Sequence, residues 1–189
     1  MTDAVLLDSL SRRVEALHSL WRDAIATMDV EHVNHVERGG VLPIAFSLFH
    51  FVHIEDFSAS LLGAGPMVFD AACGHRMRLA IADDGKHRTV EEMMAQRIGN
   101  YPAFVDYLEQ VFAKTERWLG ALDAEVLHDL VVPTPYPPVV ASTFSARVGG
   151  ERGITRLDAV ESWIYQHGLR HMGEIEHARA LVGLGGMTS

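Results

Sequence analysis

His167 and His171 stand four residues apart in the stretch His167-Gly168-Leu169-Arg170-His171. On a helix that spacing sends both imidazoles out of one face. A neutral imidazole in a core needs a partner for each ring nitrogen, and a metal ion satisfies one nitrogen on both rings at once. His50 and His53 supply one or two further imidazoles from another apolar segment. Two histidines from one helix and one from a facing helix make a three-nitrogen site. Three protein ligands leave a position for water or substrate, the pattern of catalytic rather than structural zinc. The competing account is a polar layer of hydrogen-bonded histidines, and eleven histidines in 189 residues make a chance pair easy.

Glu174 lies three residues past His171, near the same face. It can orient a ligand, take a proton or bind metal, and its plainer alternative is an ion pair with Arg170 four residues earlier. The pair is not the HExxH of metalloproteases, because Gly168 rather than glutamate follows His167. Gly168 and Gly173 are costly inside a helix, which suggests close approach by another backbone or a ligand. Glu15-x-x-His18 and Glu125-x-x-His128 match the Glu-x-x-His of di-iron bundles. Glu15 and His18 sit off the apolar stripe of their helix, however, and Glu125 lies outside a long one. Cys73 is the single cysteine, so no internal disulfide, CxxC or thiolate-rich zinc site can form. Its neighbours His75, Arg76 and Arg78 are only a weak case for a nucleophilic thiol. There is no Walker A loop and no G-x-S-x-G.

The elements that must carry these residues are helical. Leu7, Leu10, Val14, Leu17, Trp21, Ala24 and Met28 form a stripe over 3–28. Residues 29–40 read as a connection. A second helix, 42–63, opens at Pro43, carries Phe46, His50, His53, Phe57 and Leu61 on one stripe, and is apolar on more than one side. Residues 64–88 lack a clean period, with a turn at Asp83-Asp84-Gly85-Lys86 and room for one short helix near 75–82. Thr89 and Glu92 spell a capping box for a helix to about Ile98. A long helix runs from Pro102 to about Ala121 on Phe104, Leu108, Val111, Thr115 and Trp118. Residues 131–153, with Pro133, Pro135, Pro137 and Pro138, read as an extended loop with possible short strands or a hairpin. This loop is expected either to shape a substrate mouth or simply to connect. The last helix opens at Thr155 and runs to about Val182, with His167 and His171 among its inward positions. Four such stripes are buried by a four-helix bundle, and two long connections permit a crossover topology.

The chain has 16 Lys and Arg against 25 Asp and Glu, a net charge of −9. That excess argues against a nucleic-acid backbone or an anionic membrane surface as partner. No apolar window spans a membrane. The start Met1-Thr2-Asp3-Ala4-Val5 lacks the basic region of a signal peptide. With one cysteine, a cytoplasmic setting is expected.

The stretch from His167 to Glu174 resembles the closing motif of the DinB-like superfamily, whose members often read H-x-x-x-H-R-G-Q. Leu48-Phe49-His50, with Glu55 five residues on, resembles the second-helix motif of the same proteins. The resemblance implies one all-α domain over 1–189, a four-helix bundle with an up-down-down-up connection, often a homodimer. It implies a divalent metal on His50, His167 and His171, with His53 a neighbour. The ion is expected to be zinc, with nickel, iron and manganese as alternatives. The superfamily includes S-transferases that use bacillithiol or mycothiol and a mycothiol-dependent maleylpyruvate isomerase. The expected function is thus metal-dependent transfer or isomerisation on a small molecule, with a low-molecular-weight thiol as cosubstrate. Glu174 or His53 would serve as proton shuttle or orient a ligand. A metal-dependent hydrolase and a non-catalytic metal-binding bundle are the alternatives. Met172 and Glu174 depart from the commoner arginine and glutamine, which leaves the subfamily and its thiol open.

Overall fold

Leu10, Val14, Leu17, Trp21 and Ala24 are buried along one side of α1 (Asp3–Ala26), as their spacing predicts. The computed structural model describes residues 2–186. It is mostly helical, 66%, with one small two-stranded sheet. The segment read as a plain connection holds a short helix, α2 (Val30–Asn34). Asp29 caps it by accepting the N–H groups of Glu31 and His32, and the His32 ring accepts the Asp29 N–H in return.

α3 (Ile44–Leu61) buries Leu48, Phe49, Phe51, Val52 and Ile54. Its predicted inward stripe is corrected. Phe46 is buried and His50 and His53 are half-buried, but Phe57 and Leu61 are 50% and 62% exposed. A helix apolar on most sides carries no periodic signal for which side meets solvent. Asp56 is fully buried on α3. It binds Lys114 at 2.6 Å and accepts the N–H groups of Val68 and Phe69, tying the following loop down.

α4 (Ala71–Met77) starts earlier than the helix expected near 75–82, because Asp70 caps it by accepting the Cys73 N–H. The Thr89–Glu92 capping box forms as predicted and opens α5 (Val90–Met93). That helix stops short of Ile98. The Arg97 carbonyl accepts Ala80 N–H, and the Asn34 amide both donates to and accepts from the Ile98 backbone. α6 (Tyr101–Gly120) follows an Asn100 cap with Pro102 in its first turn and buries Phe104, Leu108, Val111, Phe112 and Thr115.

β1 (Leu130–Val132) and β2 (Ile154–Thr155) pair antiparallel, Leu130 opposite Thr155 and Val132 opposite Ile154. The short strands expected for this region thus form at its two ends, but the stretch between them is not an extended loop. It contains α7 (Pro138–Ala141) and α8 (Phe144–Gly149), started by Pro138 in a first turn and by a Thr143 cap. Thr155 and Asp158 form the capping box that opens the final helical run. This run is α9 (Arg156–Ala159), a π-helical stretch over Val160–Gln166, and α10 (His167–Leu181). The chain leaves α10 through Gly183 at φ 80°, with Leu184 N–H donating to the Arg179 carbonyl.

α1 packs on α6 and α10, while α3 packs on α10, the π-helical stretch and α6. Two apolar cores result. One gathers Trp21, Phe51, Phe104, Phe112, Met172 and Ile175. The other gathers Leu10, Val14, Ala59, Leu62, Val160 and Ile164, and against it pack Val132, Tyr136 and Val140 of the proline-rich region. Among the described residues no helix is long and apolar enough to cross a membrane.

Candidate metal centre

α3 and α10 bring His50, His167 and His171 together, with one ring nitrogen from each lying within 4.8 Å of the others. The imidazole centroids are 5.3 Å apart for His50–His167, 5.1 Å for His50–His171 and 4.5 Å for His167–His171. Nε2 of His167 and Nε2 of His171 are 3.1 Å apart. Two nitrogens bound at about 2.0–2.1 Å to one tetrahedral ion stand roughly 3.3 Å apart, so this pair is already at ligand spacing.

The opposite edges of two rings are fixed by the protein. His50 Nδ1–H donates to the Asp84 carbonyl at 2.6 Å. His171 Nδ1–H donates to Glu174 Oε2 at 2.7 Å, and Glu174 also accepts the Ser47 hydroxyl at 3.2 Å. Both bonds put the proton on Nδ1 and leave Nε2 a lone pair facing the cluster, the usual outer arrangement of a ligating histidine. Nδ1 of His167 is buried and has no hydrogen-bond partner among the described residues.

Burial pushes His50 down to about 4 and His167 down to about 2, and neighbouring imidazoles add to both shifts. Neutral rings with converging lone pairs are what a divalent ion requires. The Glu174 carboxyl is held below its usual range, chiefly by the hydrogen bond from His171.

Local sequence explains the placement. The π-helical stretch ends at Gln166, directly before His167, and packs against α3. Wider turns of this kind re-aim the residues that follow and cluster at functional sites. At Gly168 a Cβ would stand 2.6 Å from Leu17 Cδ2 and 2.9 Å from Phe51 Cε2, so the expected close approach is real and is made by side chains. Gly173 faces open space and has no such reason. Over His50 lies the turn Asp83–Lys86. Asp83 Oδ1 accepts the Gly85 N–H, and Asp84 Oδ1 accepts the Lys86 N–H. Gly85, at φ 74°, sits so near Phe46 that a Cβ would be 2.6 Å from its ring, and Phe46 stacks on His50.

Of the predicted site residues, His50, His167 and His171 come together. Glu174 joins them through His171 rather than through the expected ion pair with Arg170. His53 stays outside the cluster. Its ring lies between Phe49 and Phe69, with Nδ1 buried and unpartnered among the described residues, and burial lowers its pKa. The proline-rich segment packs on the second core through Val132, Tyr136 and Val140, and the loop that touches the centre is instead 83–86. Asp84 was missed because its contribution is a backbone carbonyl. Asp-Asp-Gly-Lys signals a turn and says nothing of what the turn covers.

His18 is corrected as well. Placed off the stripe by its spacing, it is fully buried, donating from Nδ1 to Glu116 at 2.8 Å and facing Glu55 with Nε2 at 3.1 Å. Glu15 takes no part, and His128 is exposed beside Asp3, so neither Glu-x-x-His match forms a di-iron site. Burial raises the pKa of Cys73, against a nucleophilic role.

No protein-family model matches the chain, and no curated protein matches it in sequence. Solved structures do. One is the crystal structure of a conserved protein from Enterococcus faecalis, with a TM-score of 0.72 and 19% identity, covering 93% of this chain and 95% of that one. At that identity the likeness is one of fold.

Proposed function

We propose that the chain is a divalent-metal-dependent enzyme of the DinB-like four-helix-bundle type, holding its ion on His50, His167 and His171 and transferring a small thiol to an electrophile. The observation that carries the metal reading is the convergence of three imidazoles, two of them fixed through Nδ1 by Asp84 and Glu174. A bound divalent ion supplies Lewis-acid chemistry, lowering the pKa of a thiol or water at its open position. The protein supplies orientation. The Asp84 carbonyl holds the proton of His50 on Nδ1, and Glu174 does the same for His171. Glu174 stays ionised beside that imidazole and acts by positioning, while Ser47 holds its carboxylate in place. Zinc fits three nitrogens with one open position. Choice of thiol transfer over hydrolysis rests on the resemblance in the two histidine motifs, as does a homodimer, while a cytoplasmic setting rests on the single cysteine.

The test is metal content by mass spectrometry on protein purified without a nickel column. About one ion per chain is expected, the stoichiometry of a three-ligand site. His167→Ala and His171→Ala should lose it at unchanged fold. If metal is absent even after incubation with zinc or nickel, the metal reading fails and the histidines return to ordinary packing. If metal is present but no thiol is consumed against a panel of electrophiles, the transfer reading fails alone.

A further inference from the structure

The residues of α3 that are not buried are His50, His53, Phe57, Ser60 and Leu61. At 100° per residue they fall within one arc of about 100°, a strip that runs roughly 16 Å along the helix from His50 to Leu61. None of them is an acid, a lysine or an arginine, and the two acids of the helix, Glu55 and Asp56, are fully buried. The other long helices are the reverse. α1 exposes Asp8, Arg12 and Glu15, α6 exposes Asp106 and Arg117, and α10 exposes Arg170.

The side of α3 that meets water is thus uncharged and apolar, and it starts on a histidine of the centre. α10 runs antiparallel to α3, with Glu174 beside Ser47 and Gly168 against Phe51. Beyond Phe51 the neighbour of α3 is the π-helical stretch, whose Trp163, four residues before His167, is half-buried against the second core. The size of the strip decides what covers it. Phe57 is 50% and Leu61 62% exposed. An aromatic side chain totals about 150–250 Å², so the two together present on the order of 200 Å². A stable protein partner takes about 800 Å² from each side, and a second copy laid here finds roughly a quarter of that as apolar surface. A chain of methylenes needs only a narrow strip, and this one ends at the three histidines.

We infer that the strip is the apolar half of the substrate site, so that the centre takes a small molecule whose polar group reaches the three histidines and whose straight alkyl chain lies along Phe57 and Leu61. This rests on the metal reading above and names its substrate class.

The test uses full-length protein loaded with cobalt(II), whose visible spectrum reports both occupancy of the site and binding of a ligand to the ion. The probes are straight-chain hydroxamates from acetohydroxamate to dodecanohydroxamate, one polar group on a growing chain. A fully buried methylene is worth about fourfold in affinity, and about twofold is expected for each one added on an open strip. Phe57→Gln with Leu61→Gln should cut the ratio of longest-chain to shortest-chain affinity about tenfold or more. Phe57→Leu should keep the rise, and Leu61→Gln alone should weaken only the longest members. Both positions are exposed, and an unchanged cobalt spectrum in the variants shows that the centre is intact. An affinity independent of chain length, a rise that the double variant shares in full, or no response to any hydroxamate overturns the inference and leaves the metal centre standing. A wild-type dimer that the double variant splits in sedimentation also overturns it, because a second copy then covers the strip. Failure of wild-type protein to bind cobalt overturns the metal reading and this inference with it.

Discussion

His18 and His167 are both withdrawn from water, and the molecule leaves them in opposite states. Burial alone lowers both. Around His18 the Glu55 charge and hydrogen bonds to Glu116 and Glu55 outweigh it, and the ring is raised to about 9. Arg22 extends that network to Glu109 at 2.9 Å and Glu116 at 3.3 Å, and Phe112 stacks on the His18 ring. His167 meets only imidazoles and distant cations, and falls to about 2. A buried histidine among carboxylates is a cation locked in place, whereas one among other imidazoles is a free lone pair. Both clusters use α3, Glu55 in one and His50 in the other. Partner chemistry, rather than burial, separates an ion-pair staple from a histidine cluster that could hold a metal.

The largest effect should come from breaking the staple. His18→Ala leaves Glu55, fully buried, without its cation. That should cost about 3–5 kcal/mol in urea unfolding of the metal-free protein. His167→Ala under the same conditions removes a neutral ring whose Nδ1 is already unpartnered, and should cost no more than about 1–2 kcal/mol. Similar losses in both variants would end the distinction. Replacing His18 and Glu55 together with leucine should recover most of the His18→Ala loss, since the uncompensated charge of Glu55 is then gone.

A second contrast lies in pH. The folded pKa of His18 is raised from 6.5 to about 9, so the folded state holds a proton that the unfolded chain releases. Its stabilisation is therefore complete below pH 6.5 and is lost as pH rises through about 9. The shift corresponds to a loss on the order of 3 kcal/mol across that window. Urea midpoints of metal-free wild type should fall accordingly, and those of His18→Ala should not share this component. Parallel curves for the two proteins would place the proton elsewhere.

On the metal side, Glu174→Gln keeps the shape of the side chain but removes the charge that orients His171. Loss of such an outer partner lowers metal affinity about 10- to 100-fold, read by competition with a chelator. Unfolding of the metal-free variant should change little, because Glu174 is 54% exposed at its side chain. Unchanged affinity would make Glu174 an ordinary surface acid and leave Asp84 as the outer contact.

How much of this was legible in sequence follows the same division. The i,i+4 spacing of His167 and His171 survives folding because it is local, and α1 and α6 were readable from regular apolar stripes. By spacing His50 was one of two candidates on α3; the resemblance of its motif chose it over His53, and the fold places it rather than His53 in the cluster. The His18 network was not legible, since its acids come from α3 and α6 and no spacing links them to α1. Nor was the π-helical stretch before His167, which obeys no 3.6-residue period. Phe57 and Leu61 looked inward because α3 is apolar almost all round, so its period could not say which side faces water. Cap chemistry did better than composition. Thr89 and Thr155 started helices where their side chains predict, while the β-branched run after Pro138 became helical under its own Pro and Thr143 starts.

The smallest effects test whether the two clusters are mechanically independent. Phe51 lies between them, 6.4 Å from His167 and 6.0 Å from Phe112, which in turn stacks on His18. Gly168→Ala would press a methyl against the Phe51 ring and Leu17, both packed among fully buried neighbours. Overpacking of that kind costs about 1–3 kcal/mol. Because the ring must shift, metal affinity and the pH response of His18 should change together. Gly173→Ala meets nothing within 4 Å and keeps an ordinary helical backbone. It should stabilise the fold by about 0.5–1 kcal/mol through helix propensity alone, with metal affinity and pH response untouched. If Gly168→Ala alters metal affinity and leaves the pH response as in wild type, Phe51 does not couple the clusters, and the centre and the staple share a helix without sharing their energetics.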